Sequence, residues 1–126
     1  VPFGDYTRQM FEKMAADPKY GEAYRDAVMK NVISEETAVT SVMPKLMLGE
    51  ADASFVYKSD VSKDDRDKLT RLDVPSEYNV MATYPLGILT ESSQKTEAES
   101  FIAFVRGPDG SAILTEYGFD PIPAGK

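Results

Sequence analysis

The 126-residue sequence predicts an α/β fold. Apolar residues recur at helical spacing along much of the chain, short runs rich in β-formers lie between those stripes, and prolines and glycines punctuate the junctions. The resulting order is αα-β-α-β-loop-β-α-α, a pattern in which strands are covered by helices. The most informative stretch is residues 34–60, where a helix with Val39, Val42, Met43, Leu46 and Met47 on one face leads through Gly49-Glu50-Ala51-Asp52 into a β-rich run, residues 53–57. A helix N-terminus and a strand C-terminus in one αβ unit can both face a small anion.

The elements follow in order. Residues 5–16 carry Tyr6, Met10, Phe11 and Met14 on one side, and Pro18 marks the end of that helix. A weaker helix over residues 19–30 aligns Tyr20, Ala23, Tyr24, Ala27 and Val28, and residues 31–33 read as a short strand. Pro44 is an anomaly inside the next helix, because an interior proline removes an N–H and costs about 3 kcal/mol; a kink or a break into two pieces is expected there. Residues 63–69 form a charged loop or short helix, and residues 75–77 turn the chain into a long β-rich run, residues 78–90, interrupted by Pro85 and Gly87. Thr96 and Glu99 form a capping-box pattern ahead of Ala98, Phe101, Ile102 and Val105, which Gly107 stops. Pro108 opens a last helix with Ala112, Ile113 and Tyr117, closed by Gly118. A complete doubly wound domain usually opens on a strand, and none precedes Pro2. The sequence, starting at Val1 without a methionine, therefore reads as a processed or excised piece.

Composition narrows the chemistry. An apolar content of 42% supports a core in a single domain. No apolar run approaches the roughly 18 residues of a membrane span. With no Cys and no His, disulfides, thiolate chemistry, zinc sites built on those residues and triads with an imidazole base are excluded. A formal charge of -7 argues against nucleic acid as a partner, since no basic run exists to displace counterions. It also means that an anionic ligand would be held by local dipoles rather than by the global field.

Val1-Pro2-Phe3-Gly4 ahead of a helix, Gly49-Glu50-Ala51-Asp52-Ala53 running into Phe55-Val56-Tyr57-Lys58-Ser59-Asp60, Tyr84-Pro85, Gly107-Pro108 and Tyr117-Gly118-Phe119 occur in an ordered set over nearly the whole chain. That set resembles the periplasmic molybdate- and tungstate-binding proteins of ABC importers, class II periplasmic binding proteins of two α/β lobes joined by crossing strands. The resemblance implies a type II lobe lacking the N-terminal part of the two-lobe protein. Residues 1–83 would be the second lobe, and residues 84–126 a crossing strand and C-terminal helices that belong to the first. It implies an extracytoplasmic, periplasmic or extracellular location and delivery of a tetrahedral oxyanion, molybdate or tungstate, to a membrane permease, with no cofactor. It also assigns three donors: the N–H groups of Phe3 and Val39 at helix starts, and the hydroxyl of Tyr57. Phe3 is bulkier than the small residue common at its place, which a backbone donor tolerates.

Physical chemistry supports the same three positions. A tetrahedral dianion only accepts hydrogen bonds, so convergent N–H groups at helix starts and a neutral O–H suit it. Each position also has a plainer role: Val39 begins an apolar stripe, Tyr57 is a strand tyrosine, and Phe3 is a hydrophobic residue before a helix. Enzymatic chemistry is not expected, because Glu35-Glu36, Asp64-Asp65 and Asp52 with Asp60 sit in solvated polar stretches, and Asp60 caps or turns the chain after the strand. The alternatives are a receptor of the same architecture for another small anion and a non-binding piece that self-associates through uncovered apolar surface.

Overall fold

In a computed structural model of the chain, residues 2–121 are described. They form five α-helices: α1 (Pro2–Ala16), α2 (Gly21–Met29), α3 (Val42–Met47), α4 (Lys95–Arg106) and α5 (Pro108–Glu116), with 3-10 turns at Val39–Ser41, Lys58–Asp60 and Lys63–Lys68. The chain divides into two compact units, Val1–Ala82 and Thr83–Lys126. No helix among the described residues is long and apolar enough to cross a membrane.

In the first unit α1 and α2 pack against each other around Met10 and Phe11, each 5% exposed, with Tyr78 at 7% closing the core. Met14, Tyr20, Val28, Met29 and Val74 pack around them, and the rings of Phe11 and Phe55 meet edge to face at 5.5 Å. The stripe read from the sequence in residues 5–16 thus faces the core. The helix, however, begins three residues earlier, at Pro2. Proline is favoured in the first turn, where its missing N–H costs nothing, and the correction places Phe3 within that turn. Residues 17–20 turn between α1 and α2, with the Tyr20 and Gly21 N–H groups donating to the Asp17 carbonyl at 3.0 Å each.

Pro44 divides the next helical stretch as its chemistry requires. A 3-10 turn, Val39–Ser41, passes into α3, and Pro44 is the third residue of α3, where an N–H has no intrahelical acceptor to lose. The end of α3 is closed by Gly49 at φ 72°. Its N–H donates to the Leu46 carbonyl at 3.1 Å and the Glu50 N–H to the Lys45 carbonyl at 3.0 Å, a pairing that needs a left-handed residue between.

No β-strand occurs among the described residues. Residues 31–33, 53–57 and 78–90, read from the sequence as strands, carry no ladder. The Val32 N–H instead bonds back to the Met29 carbonyl at 3.3 Å. A strand exists only by pairing with a neighbour, and these segments do not pair with one another. Composition alone therefore could not make the sheet. Residues 75–78 do turn, with the Tyr78 and Asn79 N–H groups both donating to the Pro75 carbonyl at 3.0 Å.

In the second unit α4 starts at Lys95 with Gln94 before it and no side-chain cap, so the Thr96 and Glu99 capping box does not form. Thr96 already lies within the helix, and its carbonyl accepts the Ser100 hydroxyl at 2.9 Å. Gly107 ends α4 and precedes α5, with Pro108 at the first position. The two helices cross closely at Gly110, which is buried. The Phe119 N–H closes α5 on the Leu114 carbonyl at 2.9 Å, and the Tyr84 and Phe119 rings meet edge to face at 5.9 Å.

Candidate functional site

Phe3 and Tyr57, far apart in sequence, are brought together in the first unit. Their rings meet edge to face, 4.5 Å between centroids and 73° between planes, an arrangement in which the positive ring edge meets the negative face. Both residues are half-buried. Phe3 is the second residue of α1, so its N–H is one of the donors a helix cannot satisfy from within. The positive end of the α1 dipole is thereby set beside the aromatic ring of Tyr57.

Tyr57 stands where extended backbone, φ -69° and ψ 149°, enters the 3-10 turn Lys58–Asp60. Its N–H donates to Asp60 Oδ2 at 2.9 Å, and the Asp60 N–H donates to the Tyr57 carbonyl at 3.0 Å. The turn expected of Asp60 is thus formed by its own carboxylate.

Val39 opens the 3-10 turn before α3, preceded by Ala38 in extended backbone at φ -139° and ψ 139°. The Ser41 N–H donates to the Ala38 carbonyl at 3.1 Å. The structure therefore joins Phe3 to Tyr57 directly and sets Val39 at the start of a separate helical turn, half-buried.

Sequence reading overlooked what fastens the loop ahead of Val39. Lys45 on α3 pairs with the Glu36 carboxylate at 2.6 Å and donates to Ser34 Oγ at 2.9 Å, while the Ser34 hydroxyl donates to Glu36. These hydrogen bonds, the Lys45 one foremost, hold the Glu36 carboxyl below its ordinary range, and Glu36 does the reverse for the Lys45 ammonium, which is raised. Glu36 is thus engaged rather than merely solvated. Its neighbour Glu35 is exposed and paired with Arg8 at 2.7 Å. The Glu36–Lys45 spacing matches no helical pairing rule, so the pattern of charges gave no sign of it. Ser54 is a second omission: its Oγ is buried without a hydrogen-bond partner among the described residues.

The arrangement seen is thus the start of α1 beside the Tyr57 ring, and a fastened loop leading to the separate helical start at Val39. The chain belongs to the bacterial extracellular solute-binding protein family, whose sequence model matches residues 1–120; this is a family of binding proteins, not of enzymes. It is similar to the molybdate-binding protein ModA of Mycobacterium bovis and to that of two strains of Mycobacterium tuberculosis. Each is 35% identical over 124 residues, a match covering 93% of this chain and 47% of the relative. The chain thus spans about half the length of the curated relatives it matches. No solved structure matches it.

Proposed function

We propose that this chain is the second-lobe portion of an extracytoplasmic receptor that captures a tetrahedral oxyanion, molybdate or tungstate, for an ABC importer. The observation that carries the reading is the contact of Phe3 with Tyr57, which sets the start of α1, whose first N–H groups have no intrahelical acceptor, beside a residue bearing a hydroxyl. Phe3, Val39 and Tyr57 supply the donors: two backbone amides and one phenol. A dianion that only accepts hydrogen bonds is stabilised by such a set, and a ligand that presents protons is disfavoured by the shortage of acceptors. The molybdate named for the relatives supports this ligand class.

In this reading residues 1–83 form the second lobe and residues 84–126 contribute a crossing strand and C-terminal helices to the first. The run at 53–57 becomes a strand of an α/β sheet once it meets a partner elsewhere in the whole protein, and the run at 78–90 crosses between the two lobes. The receptor works at the periplasmic or extracellular face of the membrane and hands its anion to a permease as the lobes open and close.

Calorimetry on the full-length protein tests the proposal. Saturable binding of molybdate or tungstate in preference to sulfate is expected, and the absence of saturable binding to either anion rejects it. Tyr57→Phe weakens binding by about 1.5–3 kcal/mol, the worth of one hydrogen bond to a charged group; unchanged affinity removes Tyr57 from the site.

A second reading rests on the apolar surface of α4 and α5, where Phe101, Phe104, Ile113 and Tyr117 are exposed. A chain that keeps this surface open self-associates instead of binding an anion. Light scattering separates the two, since a clean monomer at high concentration contradicts self-association.

A further inference from the structure

We propose that Asp60 is the positioning residue of the site, fixing the direction in which Tyr57 presents its phenol; this rests on the oxyanion-receptor reading above. Both backbone polar groups of Tyr57 bond to the same residue: its N–H to Asp60 Oδ2 at 2.9 Å and its carbonyl to the Asp60 N–H at 3.0 Å. Two bonds to one partner set the backbone on either side of the Tyr57 Cα, and so the direction of its side chain. The Phe3 ring, 4.5 Å away and nearly perpendicular, then limits how the tyrosine ring turns. A phenol fixed at its root and along its flank loses little freedom when it donates to a ligand, which is where preorganisation gains affinity.

Charge sharpens the argument. Asp60 is a half-buried acid three residues from a donor proposed to meet a dianion, and a carboxylate there repels such a ligand. Its geometric role needs an acceptor oxygen, not a negative charge. Asparagine keeps that oxygen and removes the charge, whereas alanine removes both, so the two substitutions separate position from electrostatics.

The test has two arms. In the ligand-free 126-residue chain, NMR follows hydrogen exchange of the Tyr57 amide and the nuclear Overhauser contacts between the Phe3 and Tyr57 rings. Asp60→Ala is expected to lose the amide protection and the ring contacts while Asp60→Asn keeps both; retention of both in Asp60→Ala overturns the proposal. In the second arm, calorimetry with molybdate on the full-length protein compares Asp60→Ala, Asp60→Asn, Tyr57→Phe and the double variant D60A/Y57F. Asp60→Ala is expected to weaken binding about tenfold, Asp60→Asn to bind at least as tightly as wild type, and the alanine effect to vanish in the Tyr57→Phe background. Equal losses in Asp60→Ala and Asp60→Asn, or full additivity with Tyr57→Phe, overturn it. A wild-type protein that ignores molybdate defeats the receptor reading alone, and the exchange and ring-contact arm then decides the positioning claim by itself.

Discussion

Tyr78 shows how a single side chain can tie a core to its surroundings. Its ring lies in the core of the first unit and packs edge to face on Tyr20 at 5.5 Å, and its hydroxyl donates to Asp17 Oδ2 at 2.6 Å. Asp17 also accepts the Lys19 N–H at 2.8 Å. The Tyr78 hydrogen bond, then the Lys19 one, lowers the Asp17 carboxyl below its ordinary 3.8. The same bond, followed by burial, raises the Tyr78 phenol to about 12. A depressed carboxylate contributes stability that is present above its unfolded value and is lost as pH falls through the folded one. A raised phenol contributes stability that is present below its ordinary 10.0 and is lost as pH climbs through about 12. Urea midpoints measured against pH are therefore expected to decline at both ends. Asp17→Asn flattens the acid limb and Tyr78→Phe the alkaline one, and unchanged profiles in both variants contradict the bond. Ser54 gives the opposite case: a buried hydroxyl without a partner costs stability, so Ser54→Ala is expected to stabilise the chain by about 1 kcal/mol in urea unfolding. The resemblance to the family is what singled out Phe3, Val39 and Tyr57 as the proposed donors, because local pattern alone makes Val39 part of an apolar stripe and Tyr57 an ordinary tyrosine of a β-rich run. The Asp17–Tyr78 and Glu36–Lys45 contacts could not be named from sequence, because long-range pairs follow from how the chain turns and not from local spacing.

Among the elements, helices were legible and strands were not. A helix satisfies its own backbone, so the stripes of Met10, Phe11 and Met14 and of Phe101, Ile102 and Val105 were enough to locate α1 and α4. The same reasoning found the Pro44 break and the Gly107-Pro108 junction. It failed at boundaries: α1 begins at Pro2 rather than at residue 5, and α4 at Lys95, ahead of the Thr96 capping signal. Residues 53–57 have the composition of a strand, but composition cannot supply the partner that a ladder requires. The crossing of α4 and α5 depends on Gly110, where an added Cβ would meet the Phe104 carbonyl oxygen and lie 2.6 Å from Val105 Cα. Those are backbone atoms and cannot yield as a side chain would. Gly110→Ala is expected to destabilise the second unit by about 1–3 kcal/mol through overpacking, read as an earlier loss of helical circular dichroism in urea; an unshifted midpoint contradicts the close crossing. In the first unit Phe11→Ala opens a cavity between α1, α2 and Phe55 and is expected to cost about 3–5 kcal/mol in the same measurement.

At the scale of the molecule, each unit leaves large apolar side chains in water. Leu48 and Leu72 in the first and Leu89 and Phe101 in the second are at least 61% exposed. Under the proposed receptor reading, these are side chains that neighbours in the whole protein cover. The ordered set of motifs pointed to the solute-binding family that the family model matches, while the α/β sheet read from the same sequence is not formed among the described residues. The central claim is that the amides of Phe3 and Val39 and the phenol of Tyr57 converge on one oxyanion. Amide NMR of the full-length protein titrated with molybdate tests this most directly. The account predicts that the Phe3 and Val39 amide protons move strongly downfield together and that the Tyr57 hydroxyl proton becomes protected from exchange at the same ligand concentration. Saturation with those three signals unmoved, and the large shifts lying elsewhere, would contradict it.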